Sequence, residues 1–428
     1  MADRQRPSEG EKGRRWVIVA AAVLLLLVTA VMVGKLLKGD LKDAEVWYDA
    51  GRRALSGESL VGLLHYRYPP AFAVMVSPLC LLPFSAFFLV WYALNVALFL
   101  ASLRLAAALV CAPSGWRDLP RQWAPAAVVV VFAIDNLFLG QTNILVMALV
   151  YWAMREVERG REWWAGAPLA AAVATKVFPL PLLGYFAYRG RVRMVAGTVL
   201  WCAFLLLVLP APLRGFGRNL EEMGEWGSRV VMPYLSRGEA GDWGQHALDF
   251  GNQSVQAVAH RLLTRVDAYV AARQRAAPVF VNVASLSEAE VNWLVLAAFG
   301  ALGASFLAAC GWRRPREPRR QAVEYSLAII LVLLVSALAW TYFFVMLLLP
   351  VAAALELLRR GEDLSAASRW GLRVGVAAVV VSVPLLANWY ARALGSVCWA
   401  TLALYVGLAL ACRDLRRAEA EARGSPSL

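Results

Sequence analysis

The sequence predicts an all-α protein that crosses a membrane many times, and three observations carry that prediction. Of its 428 residues, 60% are hydrophobic and the mean hydropathy is +0.56, beyond what a chain with a wetted surface carries. Apolar runs near the ~20 residues that span a bilayer core recur almost from end to end. The basic residues behind the net charge of +13 gather in short loops between those runs, as "REVERGRE", "RGRVR", "GWRRPREPRR" and "LRRGEDLSAASRWGLR". Charge placed there fixes orientation in a membrane. It does not build the contiguous basic face that nucleic acid needs, so membrane lipid is an expected partner and nucleic acid is not.

The elements follow in order. The run Trp16–Val33 comes after a basic head containing Arg14 and Arg15. It is long for a signal peptide and lacks an A-x-A cleavage site, so it reads as a retained anchor. The next apolar segments are 69–83, 84–110, 124–138, 140–154, 164–175, 177–188 and 194–212, and after a polar break 290–311, 322–336, 339–357, 372–389 and 392–411. Segment 69–83 carries Pro69, Pro70, Pro78 and Pro83, which suit a re-entrant or interfacial element better than a clean span. With it set aside, about twelve spanning helices alternate so that every basic loop falls inside.

The expected organisation is a cytoplasmic head (1–15), a transmembrane domain (16–411) with outer loops 38–68 and 213–289, and a cytoplasmic tail (412–428). The expected location is the cell (plasma or inner) membrane, multi-pass, with both termini cytoplasmic. The same threading delivers the polar, non-basic motifs to the outer face: "DNLFLGQTN" (135–143), "TKVFP" (175–179), "WTY" (340–342) and "NWY" (388–390). An active site is therefore expected on the extracytoplasmic side.

Several chemistries lack support. The six cysteines form no C-x-x-C pair, the three histidines show no metal spacing and no acidic triad appears, so no metal and no cofactor are expected. No Gly-rich phosphate loop or G-x-S-x-G elbow is present. The stretch "GDLKDAEVWYDAG" (39–51) instead crowds four acids just past the first apolar run. On a helix, Asp43 shares a face with Asp40 and Trp47, while Glu45, Asp49 and Arg52 lie opposite. Asp49 can pair with Arg52 or Arg53 as a solvated face. Asp43 has no close basic neighbour on its own face and has an aromatic instead, which suits a general base presented to a sugar.

In "HYRYPPAF" (65–72), Tyr66 and Tyr68 flank Arg67. The stretch reads either as an interfacial aromatic belt with a snorkelling arginine, or with Arg67 or His65 as a phosphate contact. "GQTN" sets Gln141 and Asn143 between apolar runs, where unpaired polar groups are costly. "TKVFP" does the same with Lys176, which either snorkels or, framed by apolar runs, holds an anion.

Taken in order, "DAEVWYDAGRRALSGESL", "YRYPPAFAVMVSPLCLLP", "LGQTNILVMALVYWA", "ATKVFPLPLL" and "FGNQSVQAVAHRLL" resemble glycosyltransferase family 87. These are the polyprenol-phosphate-mannose-dependent mannosyltransferases of the GT-C class, and the resemblance runs from about residue 40 to residue 350. It implies a multi-helix GT-C membrane fold with its catalytic acid in the first outer loop. The family's acid, three variable residues, paired aromatic and alanine fall on Asp43, Trp47, Tyr48 and Ala50, which makes Asp43 the matching base. Its GQ-N and K-FP elements fall on Gly140, Gln141, Asn143, Lys176, Phe178 and Pro179. Tyr68, Asn252, Gln253, Trp340 and Tyr342 join the implied substrate contacts.

One departure matters. Where the family commonly follows a tryptophan with histidine, this chain has Trp340 and then Tyr342 and Phe343. The donor phosphate would then fall to Lys176, Arg67 or the Tyr342 hydroxyl. The implied reaction moves a sugar, mannose in the family, from a polyprenyl-phosphate donor to a hydroxyl of a glycolipid or glycan acceptor, with inversion. A lipid or glycolipid transporter or flippase is the rival of another class, but it usually shows two related halves, which the sequence lacks. A non-catalytic relative that helps assemble a glycan is the third reading.

Overall fold

A computed structural model of the chain describes residues 9–39, 41–63, 66–111, 119–233, 246–269, 278–360, 364–422 and 424. Asp40 and His65 lie outside the described residues. The described chain is all-α apart from one isolated bridge between Asn252 and Trp340. Among the described residues, seven helices are long and apolar enough to cross a membrane. The protein is polytopic, as its apolar runs require.

Helix α1 (Glu9–Lys38) shows why a bilayer is needed. Its Leu26 is 70% exposed and its Leu27 61%, a surface that lipid covers without cost and water does not. Val28 and Met32 hold it to the bundle, helped by a 2.8 Å bond between the Thr29 and Tyr92 hydroxyls. Helix α2 (Lys42–Ser56) follows and stops at Gly57, whose φ of +71° lets it take the left-handed cap. Helix α3 (Pro70–Val76) has seven residues, about 10 Å of rise, far short of a bilayer core. It lies against α2, where an ideal Cβ on Gly51 would sit 2.3 Å from Cys80 Sγ. The proline-broken segment 69–83 is thus a short element tucked under α2.

Helices α4 (Phe84–Leu109), α5 (Leu119–Leu139), α6 (Asn143–Glu158) and α7 (Glu162–Thr175) form the next layer. The expected span 177–188 holds only α8 (Leu182–Tyr188), because Pro179 and Pro181 interrupt the helix before it starts. The chain nevertheless returns, since Arg191 meets Glu162 at the start of α7 at 2.8 Å. Residues 162–191 are therefore a hairpin of two shortened legs. The 14 residues of α7 rise about 21 Å, and Lys176 sits at the hairpin's tip.

Helix α9 (Val192–Ala203) passes through a π turn into α10 (Ala211–Arg214), giving one continuous apolar stretch, Val192–Arg214. Beyond it come α11 (Phe216–Trp226) and α12 (Val255–Leu263), the latter capped by the Ser254 side chain. The final group is α13 (Glu288–Cys310), α14 (Pro318–Val335), α15 (Leu348–Arg360), α16 (Ala366–Leu385), α17 (Trp389–Ala393) and α18 (Ser396–Glu421). Helix α18 runs well past residue 411, so the tail expected at 412–428 begins inside a helix. Helices α16 and α18 cross closely because Gly371 and Gly375 leave room; an ideal Cβ on Gly375 would lie 2.5 Å from Leu404 Cα.

The two ends of the bundle differ in chemistry. At one end Arg189 and Arg320 both reach Glu324, at 2.7 and 3.2 Å, and Arg320 also reaches Glu419 at 2.8 Å. This end collects the basic loops. At the other end Arg214 pairs with Glu222, whose Oε1 accepts the Leu60 amide at 3.1 Å. That pairing ties the loop after α2 to α10 and α11, so the two polar segments expected on one face do meet.

Candidate active site

The polar groups of the second end converge on Gln141. Its Nε2 donates to Asp43 Oδ2 at 2.8 Å. Its Oε1 accepts from Lys176 Nζ at 2.9 Å and from the Tyr68 hydroxyl at 3.1 Å. Lys176 also donates to Asn143 Oδ1 at 3.2 Å. One amide therefore links a carboxylate to an ammonium while holding both in fixed directions. Four residues from four separate motifs of the sequence, 43, 68, 141 and 176, with Asn143 beside them, meet here.

Local structure explains the meeting. Helix α5 ends at Leu139, and Gly140 turns the chain with a φ of +65°, a conformation cheap only without a Cβ. A Cβ there would lie 3.0 Å from that of Ala44, so α2 rests directly on this turn and brings Asp43 to it. The Trp91 indole donates to the Gly140 carbonyl at 3.0 Å. Asn136, fully buried, clamps the rest: its Nδ2 donates to the Gln141 carbonyl at 3.0 Å, and its Oδ1 accepts the Asn143 amide at 3.0 Å. Sequence reasoning missed Asn136; its place inside "DNLFLGQTN" was the one signal for it.

Lys176 sits in an aromatic box. Its Nζ lies 4.6 Å from the Phe343 ring centre and 5.4 Å from those of Tyr68 and Tyr342, within cation–π range. Its hydrogen-bond partners are neutral amides, so no carboxylate touches it directly. Burial pulls its pKa down to about 7, and the charge of Asp43 pulls the other way. Burial, with the Asp43 charge adding to it, pushes the Tyr68 phenol above its ordinary range.

The remaining predicted residues fall in different places. Trp47 is buried beside the site, edge-on to Tyr68 with ring centres 5.5 Å apart. Tyr48 points elsewhere: it is about 140° around α2 from Asp43, packs on Phe84 and Phe87, and donates to the Leu82 carbonyl at 2.9 Å. The Arg67 carbonyl accepts from the Trp226 indole at 3.0 Å, anchoring that stretch to α11. Tyr342 faces Lys176, as described.

Asn252 and Gln253 build a second corner. Asn252 Nδ2 donates to the Ala337 carbonyl at 2.9 Å and its Oδ1 accepts the Ala339 amide at 2.9 Å. Gln253 Nε2 donates to the Arg392 carbonyl at 2.7 Å, and its Oε1 accepts the Val397 amide at 3.2 Å. These two amides fasten the chain just before Trp340 and from Arg392 to Val397, and are spent on backbone in doing so. The Trp340 ring packs close on Gly251, where an ideal Cβ would be 2.7 Å from it. Thr341 donates to Asp135 Oδ2 at 2.6 Å. At the opposite end of the bundle, Cys310, Glu324 and Cys412 lie close enough to share an ion, but Glu324 is already held by the guanidinium groups of Arg189 and Arg320.

Comparison with known proteins bears on the chain's family. A curated relative from Mycobacterium tuberculosis (strain CDC 1551 / Oshkosh) is 27% identical over 201 residues, 47% of this chain and 43% of its own length. Its name is polyprenol-phosphate-mannose-dependent alpha-(1-2)-phosphatidylinositol pentamannoside mannosyltransferase. The chain thus spans less than half the length of that relative. No solved structure matches it. The family profile of glycosyltransferase family 87 matches residues 66–337, more than half of the sequence and the stretch that carries Tyr68, Gln141, Asn143, Lys176 and the 250–253 loop; on that match the chain belongs to glycosyltransferase family 87.

Proposed function

We propose that the protein transfers a sugar from a polyprenyl-phosphate donor to a hydroxyl of a glycolipid or glycan acceptor, in a single inverting displacement with Asp43 as general base. The relative's name makes mannose the sugar of first choice. The observation that carries the reading is the Asp43–Gln141–Lys176 link. A displacement at an anomeric carbon needs a proton acceptor on the attacking side and positive charge on the leaving side. Here the two are held at a fixed separation by one side-chain amide.

The step balances simply. The acceptor oxygen forms a bond to the anomeric carbon as its proton passes to Asp43, and the bond from that carbon to the phosphate oxygen breaks. The electron pair leaves with polyprenyl phosphate, whose growing charge Lys176 stabilises. A β-linked donor then gives an α-linked product. Trp47 seals one flank of Asp43, and Tyr68 fixes both Gln141 and the wall of the lysine box. A lipid-tethered donor keeps its reactive carbon near the membrane surface, which is where the end of α1 delivers α2.

The proposed topology keeps the head 1–15 and tail 412–428 in the cytoplasm, and the loops 38–68 and 213–289 outside. It places the site on the extracytoplasmic side of the cell membrane, away from the nucleotide sugars of the cytoplasm. Membranes from cells that make the protein should convert radiolabelled polyprenyl-phosphate mannose into α-linked product, and membranes lacking it should not. Equal conversion by both would remove the assignment.

A further inference from the structure

The corner fastened by residues 250–253 holds groups that the displacement above leaves unused. Asp135 gives one carboxylate oxygen to Thr341 at 2.6 Å; the other makes no hydrogen bond among the described residues. It lies within electrostatic reach of both Asp43 and Arg392. Arg392 lies over the Phe250 ring, 4.2 Å from its centre, and its buried Nε has no hydrogen-bond partner among the described residues. A buried guanidinium N–H without an acceptor is costly unless something else supplies one. The Trp340 ring is backed by the bare backbone of Gly251, where a Cβ would collide with it.

These three groups have complementary appetites. A flat indole takes the C–H face of a sugar ring. A carboxylate accepts from hydroxyls, and a guanidinium donates to hydroxyl oxygens in a fixed fork. An anion would be drawn to Arg392 but repelled by Asp135, so the corner as a whole suits a neutral polyol. It is also correctly placed relative to the lysine box. Thr341 holds Asp135, while the next residue, Tyr342, presents its ring to Lys176. The two corners are therefore adjacent positions of one strut.

We propose that Trp340, Asp135 and Arg392 form the subsite for the terminal neutral hexose of the acceptor. Gln253 and Asn252 are positioning residues for it, acting through the backbone of residues 337–340 and 392–397. The assignment rests on the transfer reading above. It adds what that reading lacks: a wall against which the attacking hydroxyl is turned toward Asp43. Asp135 and residues 250–253 lie inside the stretch matched by the family profile, and Arg392 lies beyond it.

The test uses the full chain in lipid nanodiscs, with polyprenyl-phosphate mannose as donor and octyl α-mannoside as acceptor. Arg392→Gln and Asp135→Asn should each raise the KM for octyl α-mannoside at least about tenfold, the factor that losing one charge-assisted hydrogen bond brings. The KM for the donor should stay at its wild-type value, and Arg392→Lys should recover part of the loss. A rise in donor KM with acceptor KM unchanged would overturn the subsite. A second reading needs no transfer: octyl α-mannoside should raise the thermal stability of the wild type, Arg392→Gln should abolish that rise, and octyl phosphate should not produce it. Stabilisation without any transfer would keep the subsite and sink the transfer reading. Transfer without stabilisation and without a KM change in either variant would do the reverse.

Discussion

Lys176 titrates near neutrality, with burial holding its pKa at about 7, and this makes its role measurable. A lysine lowered in the folded state is charged below that value and neutral above it. A phosphodiester donor does not titrate in the same range, so the charge that holds it fades as pH rises. Donor KM should therefore climb between about pH 6 and about pH 9. Lys176→Arg, which stays charged throughout, should flatten that climb. Lys176→Met keeps the stem and deletes the charge, and should weaken donor binding by about 1.5–3 kcal/mol at low pH while the protein still accumulates. A donor KM independent of pH in the wild type would leave Lys176 as a structural residue. The folding linkage has its own sign. The depressed pKa disfavours the folded state below about 7, and the penalty lifts as pH rises toward the ordinary lysine value.

The turn that ends α5 decides whether Gln141 can link its two partners. Asn136→Ala would orphan the Gln141 carbonyl and the Asn143 amide, both buried. Each loss costs about 1–3 kcal/mol, so the melting temperature should fall and activity should fall further than stability alone explains. Thermal unfolding and transfer rate measured on the same preparation separate the two effects; an unchanged rate in the folded fraction would show that the clamp is dispensable. The helices themselves were legible, because a run of apolar residues near bilayer length has few other fates. Asp43 stood out by the helix face it shares with Trp47, and Lys176 as a charge framed by apolar runs. Other features were not legible. The span expected at 177–188 collapsed to α8 because two prolines outweigh apolarity locally. Tyr48 was paired with Trp47 by motif, yet helical rotation sends adjacent residues to different faces. The service of Asn252 and Gln253 to the backbone, and the presence of Asp135 and Arg392 beside Trp340, depend on contacts between distant segments that no spacing encodes.

Across the whole molecule, the Arg189–Glu324–Arg320 cluster and the Asp43–Gln141–Lys176 link lie at opposite ends of the bundle, and the proposed topology assigns each end a side. Arg189, Arg320 and Glu324 lock the basic end; deleting the shared charge in Glu324→Gln leaves buried Arg189 without its carboxylate, while Arg320 keeps Glu419, and should destabilise by about 3–5 kcal/mol. Sidedness can be read with thiols. In a chain stripped of its other cysteines, Ser228→Cys should react with an impermeant maleimide added to intact cells, while the exposed native Cys111 should react only after the membrane is opened. The reverse pattern would invert the topology. The most direct measurement of the catalytic claim is the single-turnover transfer rate from polyprenyl-phosphate mannose in proteoliposomes, compared among wild type, Asp43→Asn and Asp49→Asn. Asparagine keeps the shape and the bond to Gln141 but cannot take a proton. The rate for Asp43→Asn should fall about 10²–10⁴-fold with donor binding retained, and Asp49→Asn, exposed on α2, should stay near wild type. Full activity in Asp43→Asn would contradict the assignment of the base.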